Sequence, residues 1–158
     1  MKWQEWLDEW SMTGLKINAG FLELEWEPKD ADRDAAWELY IELLTRITTQ
    51  PLPPDHGVEK TALDSVFSLF GLTRDIIKRH GRGCTEFTKL AIVVLNQIVR
   101  PFTADWHRRS VEGAFKDLAL CQMFRQELTA LQTQLTHYTR MLGDMAGVED
   151  WTRLEATE

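Results

Sequence analysis

Between Leu90 and Val99 the chain reads LAIVVLNQIV, with Asn96 and Gln97 as its polar residues. A helix that is apolar on nearly every side has to be covered on nearly every side. Ten residues are about half of a bilayer crossing, so the cover is protein and not lipid. Phe87, Ala91, Val94, Ile98, Phe102 and Trp106 keep helical spacing straight through Pro101. The pattern predicts one buried central helix over about 84–108, kinked at Pro101, with other helices laid against it.

Those other helices are legible from their ends. Asp30, Asp32 and Asp34 crowd the start of a predicted helix over 31–48, where carboxylates suit the positive end of the dipole. Its apolar face is read as Trp37, Tyr40, Leu44 and Ile47, joined by Ala36 and Leu43. Residues 50–58, QPLPPDHGV, form a proline-rich loop. A helix over 59–80 follows, with Ala62, Leu63, Val66, Leu69, Phe70, Ile76 and Ile77 inward. Gly71 interrupts it at a cost of about 1 kcal/mol relative to alanine. Gly81 and Gly83 stop it, behind Lys78, Arg79 and His80. After a loop at 110–113, a helix over 117–145 places Phe124, Leu128, Leu131, Leu135, Tyr138, Leu142 and Met145 at alternating spacings of four and three. So narrow a seam wants one near-parallel or antiparallel neighbour. The simplest is the central helix of the same chain, and the alternative is a homodimer through the same seam.

The N-terminal region, residues 1–28, is different in kind. Trp3, Trp6 and Trp10 line one side of a short helix. Leu22, Leu24 and Trp26 alternate with Glu23, Glu25 and Glu27, which predicts an extended arm over about 20–27. A helical reading also exists through Leu15, Ala19, Leu22 and Trp26. Seven tryptophans in 158 residues fit either an aromatic-rich core or a protein contact. For the second case the candidate partner-binding residues are Trp3, Trp6, Trp10 and Trp26.

The expected fold is therefore mainly α: one domain over 1–158, a bundle of four to five helices over 29–147, and a polar tail over 148–158. A composition of 44% hydrophobic and 27% charged residues suits a globular chain of this length. The net charge of −7 repels a phosphate backbone and argues against nucleic acid as a partner. Two cysteines without C-x-x-C spacing make no disulfide framework. The acidic start MKWQEWLDEW lacks an apolar signal region, and no segment is long enough for a membrane. The expected location is the cytoplasm.

Chemistry is sparse. His56, His80, His107 and His137 include no pair four residues apart, so no helical metal pair is present. No phosphate-binding glycine loop or nucleophile elbow occurs, and no cofactor is implied. Cys84 follows a glycine at a helix start, which lowers a thiol pKa, and His80 is near it in sequence. Arg74-Asp75-Ile76-Ile77-Lys78-Arg79-His80 resembles the R-x(4–6)-H signature of HEPN ribonucleases, an all-helical family. The resemblance implies metal-independent RNA cleavage at a dimer cleft by Arg74 and His80, with Asp75 as the polar residue after the arginine. Arg100 and His107 fit the same loose pattern. The alternative reading of residues 74–80 is a basic helix end balancing its dipole.

Arg100, His107, Arg108 and Arg109 form a basic cluster in an acidic chain. They suit an acidic partner or a phosphate-bearing ligand, or pair with the carboxylates of residues 23–34. The style of this stretch is similar to that of small helical bacterial proteins, including accessory proteins of anti-phage systems. No motif places nucleophile, base and electrophile together. The expectation is a non-catalytic interaction or scaffolding module, an accessory subunit of a bacterial complex, with a protein partner. If the seam packs inside the chain, replacing both Leu131 and Leu135 with Asp unfolds or aggregates the protein. A variant that stays helical but runs as a smaller species on sizing overturns internal packing.

Overall fold

The computed structural model describes residues 1–155. In chain order the helices are α1 (Trp3–Glu9), α2 (Ala19–Leu22), α3 (Asp30–Leu44), α4 (Glu59–His80), α5 (Thr85–Val94), α6 (Arg100–Val111) and α7 (Leu118–Ala146). A π-helical turn, Leu95–Val99, joins α5 to α6 without a break. With α5, that turn and α6 counted as one rod, the rod, α1, α3, α4 and α7 make an all-α, single-domain bundle. Among the described residues no helix is long and apolar enough to cross a membrane.

The π turn explains how the rod survives Pro101. Proline has no N–H to give the carbonyl of Gln97, and its ring presses on that carbonyl. The helix widens by one residue just before it, and Arg100 N–H reaches back to the carbonyl of Leu95. The rod lies against α3, α4 and α7 and buries Phe87, Leu90, Ala91, Val94, Val99, Thr103 and Trp106. Among the described residues nothing covers its opposite side, and Ile92 stays 51% exposed.

The rod is attached to α3 by one carboxylate. Asp32 is fully buried. Its Oδ2 accepts from Lys29 N at 2.8 Å, closing the start of α3. Its Oδ1 accepts from Phe87 N at 2.9 Å, in the first turn of α5. Cys84, at the N-cap position of α5, supplies no side-chain cap. Asp32 therefore caps its own helix and a second one, where both sets of N–H groups lack intrahelical acceptors.

The seam of α7 is buried within the chain, from Phe124 through Met145. Its principal neighbour, however, is α3 and not the central rod. The close approach explains the choice. At Gly143 an added Cβ would lie 3.0 Å from Tyr40 Cε2, so α3 and α7 nearly touch there. The core side of α3 is Ala35, Ala36, Leu39, Tyr40 and Leu43. Trp37, read as core from spacing, is instead 40% exposed and meets Trp151 edge-on at 5.7 Å. Helix α3 also stops at Leu44, short of residue 48, where Thr48 and Thr49 hydroxyls turn back to the carbonyl of Leu43.

The N-terminal arm returns along α1. Lys2 and Glu25 form one antiparallel bridge. Trp3 N donates to Leu24 O at 3.0 Å, and Trp26 N to Met1 O at 2.8 Å. Earlier in the arm Asn18 Oδ1 accepts from Gly20 N and caps the single turn α2. The period of two does not sort the faces as predicted, because Leu24 is exposed while Trp26 stacks on Trp6 with centroids 4.1 Å apart. A lone bridge has no sheet face to impose the alternation. Gln97 secures the arm with two bonds, accepting from Lys16 N and donating to Lys16 O, both at 2.8 Å.

Gly147, at φ 74°, ends α7 as predicted. Beyond it the tail is tied to α3 at Trp151 and Glu149. Trp151 N donates to the Tyr40 hydroxyl at 2.7 Å, which donates to Glu149 O at 3.1 Å. Residues 156–158 of the predicted tail lie outside the described residues. Replacing Asp32 with Ala removes two charge-assisted bonds and orphans a buried N–H. It is expected to cost about 3 kcal/mol in urea denaturation, and a loss within experimental error would refute the double-cap role.

Candidate functional site

The residues nominated from sequence fall in separate places. Trp3 and Trp6 are buried in the chain's own core. Their indole N–H groups donate to Glu86 at 3.1 Å and Asp144 at 2.7 Å. Trp10 and Trp26 are half-buried, and Trp10 shares the Asp144 carboxylate at 3.3 Å. What the tryptophan-rich start does in this structure is close the bundle: each fully buried indole removes roughly 200 Å² from water.

Arg74 and His80 do not converge within the chain. Six residues along α4 separate them by about 9 Å and about 120° of rotation. His80 turns toward α3, its Nε2 lying 3.1 Å from Glu38 Oε2. That approach is off line for a hydrogen bond, so it is an ion pair when the imidazole is protonated. Arg79 takes the same carboxylate. Arg74 and Asp75 are exposed on another side of α4.

The two thiols are free, Cys84 buried and Cys121 half-buried. Cys84 is fully buried and donates to Gly81 O at 3.2 Å. Burial pushes the Cys121 thiol up, which lowers its thiolate fraction. Among the described residues no group of three or more His, Cys, Asp or Glu could hold a metal ion.

The basic cluster on α6 is held by its immediate neighbours. Arg109 pairs with Asp105 at 3.2 Å and lies 4.9 Å over Trp106. The Arg100 guanidinium lies 4.6 Å over the Phe70 ring and reaches Asn96 Oδ1. His107 meets Phe67 edge-on at 4.9 Å and sits 3.9 Å from Asp64. The expected pairing with residues 23–34 does not form. Glu23 and Glu25 instead hold Lys2 and the N-terminal ammonium, Asp30 holds Arg33, and Asp32 is the buried cap.

These contacts set α4 and the rod side by side in opposite directions, and they compose a continuous outer face. On α4 it carries Asp64, Phe67, Gly71, Arg74 and Lys78. On the rod it carries Ile92, Asn96, Arg100, Ala104, His107 and Val111. All of them are exposed or half-buried. Phe67 is 49% exposed and Val111 90%. Midway, Gly71 presents no side chain, and a Cβ added there would meet nothing within 4 Å. Arg33, Arg46, Arg79, Arg109, Arg125 and Arg140 each meet a carboxylate. Among the described residues Arg74, Arg100 and Arg108 do not, and of the other arginines only Arg82 shares that state.

Cavities elsewhere offer less. A hollow of about 380 Å³ beside Trp10 and His137 includes Arg140 and Arg153, both already turned to Asp150. The face on α4 was partly legible in sequence, since Phe67 and Arg74 lie off the helix's buried stripe. Its completion by Ile92, Arg100 and Val111 was not.

Against known proteins, the chain matches no family model, no curated protein and no solved structure. Truncation separates the two adjacent rings of α4. Phe70→Ala, at a buried ring, is expected to cost about 3–5 kcal/mol. Phe67→Ala should cost no more than about 1 kcal/mol, and equal losses in thermal or urea unfolding would mean that Phe67 belongs to the core.

Proposed function

We propose that the protein is a non-catalytic interaction module, an accessory subunit that presents the α4–rod face to a protein partner. One observation carries the reading. Phe67, Ile92 and Val111 stand exposed on a single face built from two rigid helices. Exposed apolar side chains grouped on one face mark contact sites better than scattered ones do. Arginine and phenylalanine are among the residues enriched at such contacts.

The rival is a ribonuclease of the HEPN type using Arg74 and His80. It is disfavoured by the position of His80, which Glu38 draws to the α3 side, and by the acidic net charge. Two measurements test the proposal. Purified protein incubated with labelled RNA in EDTA is expected to leave it intact. Cleavage that a His80→Ala variant loses would overturn the non-catalytic reading. Affinity purification from the native host should recover a stoichiometric partner. Phe67→Asp should release that partner while leaving the helical circular dichroism unchanged, and retention by that variant would rule this face out.

A further inference from the structure

Resting on that reading, we infer that the partner is an acidic amphipathic helix. It docks along the groove between α4 and the rod, with an apolar side chain over Gly71 and carboxylates against Arg74 and Arg100.

Charge points to the sign of the occupant. The chain has 25 acidic and 18 basic side chains, yet Arg74, Lys78 and Arg100 lie on this one face with no carboxylate partner among the described residues. Lysine or arginine left unneutralised beside aromatic rings in an acid-rich chain is complementary to an acidic surface. Arg100 is also preorganised: stacked over Phe70 and bonded to Asn96, it keeps its position with no carboxylate present. Placed so, the planar guanidinium offers paired N–H donors to an incoming carboxylate.

Shape points to a helix. Two antiparallel helices leave a straight groove, and a third helix lays its side chains at i, i+3, i+4 and i+7 into such a groove. Gly71, with no side chain of its own, leaves room for one of those knobs. Alanine there would be helix-stabilising by roughly 1 kcal/mol and would clash with nothing, so neither the helix nor the core accounts for a glycine. A bound side chain does. A polynucleotide fits less well, because three cations and a net charge of −7 offer little for a phosphate backbone.

The test uses three defined probes on the full chain, followed by amide NMR shifts: a helical Glu/Leu peptide, its Lys/Leu counterpart and a short single-stranded RNA. The Glu/Leu peptide is expected to shift amides around Gly71 and Arg100, and the Lys/Leu peptide to leave them in place. Two variants should each weaken that binding about tenfold. Arg74→Glu with Arg100→Glu reverses the charge, and Gly71→Leu occupies the open space at Gly71 with no change in charge. No shift with the acidic peptide, equal binding of the basic peptide, preference for RNA, or unchanged affinity in either variant overturns the inference. A host partner released by Phe67→Asp but kept by both groove variants would leave the interaction module standing and this occupant refuted.

Discussion

The arrangement of the helices depends on one buried carboxylate. Asp32 has no exposure to solvent, and an ionised group in that position is costly unless its bonds are made. Here both oxygens are used, one by Lys29 N and one by Phe87 N. It stands where the first turns of α3 and α5 meet, so two helix dipoles direct their positive ends at it. The backbone conforms to this meeting point. Gly81 takes φ 69° to turn the chain out of α4, and at Gly83 an added Cβ would come within 3.1 Å of Ala31 Cβ. The short turn Gly81–Cys84 thus brings the start of the rod against the start of α3, and from there the direction of the rod is set.

Indole N–H groups repeat the same device at lower stakes. Trp3, Trp6 and Trp106 are buried, and each donates to a carboxylate near the surface: Glu86, Asp144 and Glu127. A large apolar body enters the core while its single donor is satisfied by a residue distant in sequence. The three contacts tie α1 to α5, α1 to α7, and α6 to α7. Among the described residues three buried polar atoms have no hydrogen-bond partner, Trp26 Nε1, the Tyr138 hydroxyl and His80 Nε2, the last lying beside the Glu38 carboxylate. Burial accordingly pushes the Tyr138 hydroxyl well above its usual value.

The candidate contact face is a by-product of this order. The rod is covered by α3 and α7 on one side and by α4 along its flank, and the arm reaches it at Gln97. Nothing among the described residues covers Ile92, Arg100 and Val111. Arg100, Ala104 and His107 share α6 at helical spacing, so the outer stripe continues past Pro101. Rigid helices on both sides of a groove preserve its shape when empty, which lowers the ordering cost of docking.

Local chemistry was sufficient for the elements. The capping carboxylates before residue 35, the glycines at 81, 83 and 147, and the heptad spacing after Phe124 predicted helix ends and the buried side of α7, because these signals act within one or two turns. The all-α class followed from them. Partner choice was not local. The seam of α7 specified a narrow neighbour but not which one, and only the near-contact of Gly143 with Tyr40 selected α3. Trp37 and Trp3 have similar helical spacing to their neighbours, yet one lies outside and the other inside, since exposure depends on what packs opposite. Asp32 read as one of three dipole-suited acids, and only the fold chose it for burial. The outer face belongs to the same category. Phe67 and Arg74 could be placed off the buried stripe of α4, but their joining to Ile92, Arg100 and Val111 required two helices to lie antiparallel, which no spacing within either helix encodes.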